Sequence, residues 1–281
     1  FYPFDDSASD FRSSSENLNA VWDLCKYTLK ATPFLGVYAD GNRERMPYEA
    51  DAYIQQLGHY SVDREFSIAR YTTNFLLYNA SWPTEWHMHT LLMAWADYMH
   101  TGNKEFLMQH YDDLKKKALV ELAREDGLIS TRLGKVTPEF LAGLHYEGRS
   151  FRDIVDWPAG TPAGKKQAGN AGPTPEGERD GFVFTDINTV VNAFHYRSLV
   201  LMARIAAALD RDEEKAFYAA RAELVRSAIM DKLFDADRGV FTDGEDTDHA
   251  SLHANMFPLA FGVVPTEHEA SVVQYIKSKG M

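Results

Sequence analysis

The chain has 281 residues and carries 41 acidic against 29 basic side chains, a net charge of −12 at pH 7. That balance argues against a nucleic-acid partner, which needs a basic face for its phosphates, and no apolar run reaches the length of a membrane span. The hydrophobic share of 45% and charged share of 25% are those of an ordinary globular protein, and the 17 Phe, 14 Tyr and 5 Trp suit either a large helical core or a sugar-binding cleft.

The first residues, Phe1-Tyr-Pro-Phe, lack an initiator Met and any signal-like pattern, so the chain is expected to come from something longer. Ser13-x-x-Glu16 has the form of a capping box. Leu18, Val21, Trp22, Cys25 and Leu29 then keep helical spacing up to Thr32-Pro33. Cys25 is single, so no internal disulfide can form and neither redox compartment is excluded. Within its apolar pattern it reads as buried filler, not as a nucleophile.

The densest chemistry follows, in Asp40-Gly-Asn-Arg-Glu-Arg-Met-Pro-Tyr-Glu-Ala-Asp51. Gly41-Asn42 favours a turn, which puts Asp40 and Glu44 on a loop. Pro47 suits the first position of a helix running to Tyr60, and Glu49 and Asp51 then fall at the positive end of its dipole. Arg43 and Arg45 can pin neighbouring acids. One carboxyl kept protonated among others kept ionised, by like-charge repulsion, is what glycosidic bond cleavage needs. Helix-start caps and surface ion pairs, each worth little, fit the same residues.

Asp63 opens the next predicted helix, which Ser81-Trp82-Pro83 breaks. Thr84 to His100 is apolar on several sides and reads as a buried helix. A helix from Lys104 to Ala123 follows, its Lys115–Lys117 run reading as a solvated face, and then a short piece over 137–148. Residues 158–181 are rich in Gly, Pro, Ala, Lys and Thr; directly after Asp156-Trp157, they read as a cleft-edge loop or a linker. Thr185 or Asp186 caps a strong helix to Leu209, another covers 212–234, Gly239–Thr242 is extended, and helices over 249–261 and 267–278 complete the chain. The class is all-α, and successive helix pairs suggest a ring or closed helical toroid. No fixed-period repeat is visible.

Trp82 and Trp86 at a helix entry are core residues or a flat platform for a sugar ring, and Asp156-Trp157 offers the same choice. His87 and His89, two apart on a helix, point to different faces and do not share a metal ion. His249, His253 and Asn255 are polar cleft groups or helix-start residues, with His253 kept as a candidate. No motif signals a metal, nucleotide or phosphate, and no cofactor is expected.

With these pieces in place, the chain resembles the catalytic barrel of α-L-rhamnosidases, glycoside hydrolase family 78. Asp40, Arg43, Glu44, Arg45 and Asp51 match that family's Asp-(x)-Arg-Glu-Arg…Asp signature, with one residue fewer between Asp40 and Glu44. Met46-Pro47-Tyr48-Glu49 stands where a Leu-Gly-Trp-Thr type of run is common. Trp86 and Trp95 match the tryptophans of the next inner helix, Asp156-Trp157 resembles an Asp-Trp step, and Ser251-Leu-His-Ala-Asn255 resembles a later Leu-His-Ala-Asn run.

The resemblance implies one catalytic domain over 1–281, an all-α (α/α)6 barrel that removes terminal α-L-rhamnose from carbohydrate substrates with inversion. Glu44 would protonate the leaving oxygen, and Asp40, Arg43, Asp51, Trp86, Asp156, Trp157 and His253 would hold the sugar. Inversion leaves room for a water, so acid and base should stand roughly 6.5–9.5 Å apart. Periodicity yields about nine helices, fewer than six pairs. The barrel is therefore expected to be incomplete at its C-terminus, with the base beyond residue 281, β-sandwich domains in the parent chain and a periplasmic or secreted location. Another helical-toroid glycosidase with a different sugar, or a non-catalytic carbohydrate-binding scaffold, would share these features. Glu44 separates them, because a scaffold tolerates Gln there and a hydrolase does not.

Overall fold

The computed structural model describes residues 3–41, 44–156 and 180–279. Over these residues the helices are α1 (Glu16–Ala31), α2 (Glu49–Val62), α3 (Ser67–Tyr78), α4 (Thr84–Thr101), α5 (Glu105–Gln109), α6 (Tyr111–Lys117), α7 (Pro138–Gly143), α8 (Thr189–Ala208), α9 (Asp212–Lys232), α10 (Leu252–Phe261) and α11 (Thr266–Ser278). Between α9 and α10, β1 (Phe234–Asp235) and β2 (Val240–Phe241) pair antiparallel, with Phe234 opposite Phe241. The extended piece predicted at 239–242 is the second strand of this ladder.

The chain divides into two compact units. One comprises Phe1–Trp82, Trp86–Lys117 and Leu141–Arg149, the other Pro83–Glu85, Ala118–Phe140 and Ser150–Met281. In the first, the apolar faces of α2, α3 and α4 bury Ala52, Tyr60, Ile68, Ala69, Leu76 and Met93 around Tyr38. A polar thread crosses this core: Gln56 Nε2 donates to Tyr60 Oη at 2.9 Å, Tyr60 Oη donates to Asp97 at 2.8 Å, and Arg70 Nε meets Asp97 at 3.1 Å. The bonds tie α2, α3 and α4 together and fix the helix register, although the buried Gln56 Oε1 has no hydrogen-bond partner among the described residues.

In the second unit α8 is the buried element and packs on α9 and α10. Asn188 caps it, its side chain accepting from Val191 N at 2.8 Å. One turn on, Asn192 ties α8 to the segment before α7, exchanging bonds with Ile129 N at 2.8 Å and Ile129 O at 3.1 Å.

Several local expectations are corrected. Ser15, not Ser13, caps α1 by accepting from Leu18 N. Pro47 precedes α2 instead of opening it, because Asp40 N–H closes the loop on Met46 O at 2.9 Å and leaves Tyr48 extended as the cap. Asp63 ends α2, its N–H going to His59 O, and does not start α3. The helix expected over 104–123 breaks into α5, α6 and a 3-10 turn, with Leu119 left-handed at φ 56°. Thr185 gives its hydroxyl to Ile187 O and leaves the capping to Asn188. Cys25 is exposed, since α1 buries none of its residues. Lys117, expected on a solvated face, is fully buried with Nζ on Leu144 O at 2.8 Å. Of the loop over 158–181, residues up to 179 lie outside the described residues.

Candidate active site

In the first unit the acidic loop hangs from a buried stem. Tyr38 N donates to Thr72 Oγ1 at 3.0 Å, and its hydroxyl meets His59 Nδ1 inside the core. Two residues on, Asp40 holds the loop twice: its amide bonds Met46 O, and its Oδ2 accepts the Glu44 amide at 2.9 Å. Glu44 is thereby fixed one loop turn from Asp40. Arg45 takes a left-handed φ of 55° and lays its guanidinium over the Phe34 ring, 5.5 Å from its centre, in place of the expected partnership with the acids. Arg43 lies outside the described residues.

Tyr48 joins the loop to an aromatic wall. Burial first, and then the neighbouring Glu44 carboxylate, push its phenol up to about 12, so the hydroxyl stays protonated. Its ring packs on Trp86 at 5.3 Å, and Trp86 in turn lies 6.3 Å from Trp82. Both tryptophans are half-buried, each leaving part of its surface open.

The first turn of α2 brings up the other acids. Asp51 is pushed up to about 6, first by burial and then by the charge of Asp40, with Glu44 and Glu49 adding. Glu49 is fully buried and accepts both the amide and the hydroxyl of Ser81, the amide at 2.9 Å. Burial raises its carboxyl, while the Lys117 charge opposes the rise. Lys117 is itself drawn down to about 8 by burial. Asp40, Glu44, Asp51 and Trp86 are thus gathered around Tyr48 in one unit.

In the second unit the structure unites two further candidates. His253 Nε2 donates to Asp156 Oδ2 at 2.8 Å. The helix that carries His253 is locked by its neighbours in the Ser-Leu-His-Ala-Asn run. Ser251 caps it on Ala254 N at 3.1 Å, and Asn255 exchanges bonds with Phe241 N and O at 2.9 and 3.0 Å. Ser251 and Asn255 are therefore structural, and the imidazole between them is the group they present. Its Nδ1, also buried, has no hydrogen-bond partner among the described residues. Trp157, the other half of the Asp-Trp pair, lies outside the described residues.

Two polar residues of these regions went unnoticed in the sequence, Tyr48 beside Glu44 and Glu85, and a third, Lys117, reads there as solvated. Each sits where its type has a commonplace explanation, and only tertiary contacts give it another. His87 packs edge-on against Tyr146 and His89 against Tyr53, so the two do point to different groups. Among the described residues no group of three His, Cys, Asp or Glu is placed to hold a metal ion, and no helix is long and apolar enough to cross a membrane.

Residues 6–279 match the family of the bacterial α-L-rhamnosidase six-hairpin glycosidase domain. The chain belongs to this family. Its all-α fold is accordingly the (α/α)6 six-hairpin barrel type, and the domain is of glycosidase descent. The rhamnosidase-family domain is similar to a glycoside hydrolase family 78 rhamnosidase of Bacillus sp. GL1, with a TM-score of 0.72 and 21% identity over 99% of this chain and 27% of that one. It is also similar to a rhamnosidase from Klebsiella oxytoca solved with rhamnose bound, with a TM-score of 0.71 and 10% identity over 95% of this chain and 48% of that one. At such identities these likenesses show the fold. The chain spans 27% and 48% of the lengths of these two relatives. No curated protein matches it.

Proposed function

We propose that the domain hydrolyses terminal α-L-rhamnosides with inversion, Glu44 protonating the leaving oxygen. The observation that carries this reading is the setting of Glu44. Its amide is held by Asp40, and its carboxyl neighbours the Tyr48 phenol, on which the charges of Asp51 and Asp40 also act. A proton donor whose backbone is fixed in this way is already oriented for the glycosidic oxygen, which saves part of the entropy of finding that geometry.

Asp40, Arg43 and Asp51 then bond the sugar hydroxyls, and the half-buried Trp86 ring offers an apolar face to the sugar carbons. Asp156, Trp157 and His253 are assigned to sugar binding by the same family pattern. Inversion needs a second carboxylate that activates water, and the proposal assigns that base to none of these residues. The chemistry is acid–base throughout and calls on no cofactor. Glycosides as substrates suit a periplasmic or secreted enzyme with further β-sandwich domains.

The test is turnover of p-nitrophenyl α-L-rhamnoside by the full-length protein beside a panel of other p-nitrophenyl sugars, with the first-formed anomer read by NMR. Rhamnoside turnover that releases the β-anomer first is expected. The α-anomer first would overturn inversion, and turnover confined to another sugar would overturn the substrate.

A further inference from the structure

The turn that carries Asp156 is strained, and a buried carboxyl from another element holds it. Val155 sits at φ 66°, a left-handed conformation that a β-branched side chain rarely adopts and that persists only where its surroundings enforce it. Both amides leading into the turn go to Glu85. Its Oε1 accepts Ile154 N–H at 3.1 Å and Val155 N–H as well, and its Oε2 lies 3.3 Å from Ile154 N. Glu85 is only 1% exposed. The segment is fixed beside it, because Thr84 N–H bonds Arg152 O at 3.0 Å and Asp153 accepts the Asn188 side chain at 2.6 Å. Asp156 N–H turns back onto Ile154 O at 2.8 Å, and its carboxylate emerges against His253.

We infer that Glu85 is a positioning residue: by accepting the Ile154 and Val155 amides it holds Val155 left-handed and so aims the Asp156 carboxylate at His253 and the sugar. The inference rests on the reading of Asp156 as a sugar-binding group. Two adjacent buried amides need an acceptor, and losing it would free the turn to relax toward the conformation valine prefers. Burial, with the Asp153 charge next, pushes the Glu85 carboxyl up. It can therefore act as a neutral carbonyl acceptor, a role that glutamine can fill. The strain also gives the idea a second handle, since glycine adopts positive φ without penalty.

The experiment measures KM and kcat for an α-L-rhamnoside in the full-length protein and its variants. Glu85→Leu, which keeps bulk and removes the acceptor, should raise KM about tenfold or more with a smaller change in kcat. Glu85→Gln should stay within about threefold of wild type, and adding Val155→Gly to Glu85→Leu should restore most of the lost KM. If the Leu variant does not fold, Glu85→Asp, one methylene short of the amides, takes its place. Asp156→Asn is the reference. Should it raise KM while Glu85→Leu does not, or should Val155→Gly fail to rescue, the positioning role is overturned and the reading of Asp156 stands. Should Asp156→Asn leave KM unchanged, the reading of Asp156 fails and the inference with it.

Discussion

The Asp156 carboxylate and the His253 imidazole, 97 residues apart in sequence, share a hydrogen bond of 2.8 Å from Nε2 to Oδ2. Sequence reasoning singled out each residue separately, one for its place before a Gly-rich stretch and one for its place at a helix start. Their pairing ties two segments of the second unit and orients both groups. Asp156→Asn and His253→Ala should each raise KM for a rhamnoside. Because the residues touch, the two effects should not add: a double-mutant cycle should return a coupling of about 1 kcal/mol or more. A coupling near zero would show that the contact carries no function.

Asp51 makes a prediction of opposite sign for stability and activity. Its carboxyl ionises near 3.8 in an unfolded chain and at about 6 in the folded one. Through that window the unfolded chain releases a proton that the folded chain keeps, so stability falls as pH rises from the lower value to the upper and stays lower above it. Asp51→Asn removes this penalty. Discounted for the solvent that reaches Asp51, it should stabilise the protein by about 1–2 kcal/mol above the window and by little below it. Urea unfolding at the two ends of the range tests this, and an equal gain at both ends would contradict it.

Tyr48 separates orientation of the acid from the aromatic wall. Tyr48→Phe keeps the ring on Trp86 and deletes the hydroxyl beside Glu44. It should lower kcat about five- to tenfold with little change in KM. A rise in KM at constant kcat would instead place the hydroxyl on the sugar.

The buried ammonium of Lys117 should be costly to remove. Lys117→Met leaves Glu49 buried without its opposing charge and the Leu144 carbonyl without its donor. The loss should be about 3–5 kcal/mol, and Glu49→Gln in the same chain should recover a good part of it. Thermal unfolding of the two variants decides the matter.

What could be read from the sequence was what depends on local pattern. The helical spacing of α4 and α9, the loop position of Asp40 and Glu44, and the place of Glu49 and Asp51 in the first turn of α2 all follow from residues near one another in sequence. Boundaries slipped where a tertiary bond chose the cap. Pro47 is a good first helical residue, but the Asp40–Met46 bond keeps the segment extended until Tyr48. Thr185 is a good cap, but its hydroxyl is taken by Ile187 O. Periodicity also shows that a face is apolar without showing what covers it. That is why Cys25, in a well-spaced stripe, is exposed. Lys117 is the converse, a charge at the end of a lysine run that a single carbonyl and a buried acid draw inward. Glu85 looks like any acid at a helix start. Only the strained turn at Val155, distant in sequence, shows what its carboxyl holds.

The central claim is that Glu44 gives its proton to the leaving group, and leaving-group dependence tests it most directly. Aryl leaving groups such as p-nitrophenolate need little protonation, whereas an alkoxide needs it fully. The measurement is kcat/KM for p-nitrophenyl α-L-rhamnoside and for an alkyl α-L-rhamnoside, in the full-length protein, Glu44→Gln and Asp51→Asn. Glu44→Gln should lose about 10²–10⁴-fold on the alkyl substrate and far less on the aryl one, while Asp51→Asn should lose similar factors on both. Equal losses for Glu44→Gln on the two substrates, with the leaving-group dependence appearing in Asp51→Asn, would move the proton from Glu44 to Asp51 and contradict the account.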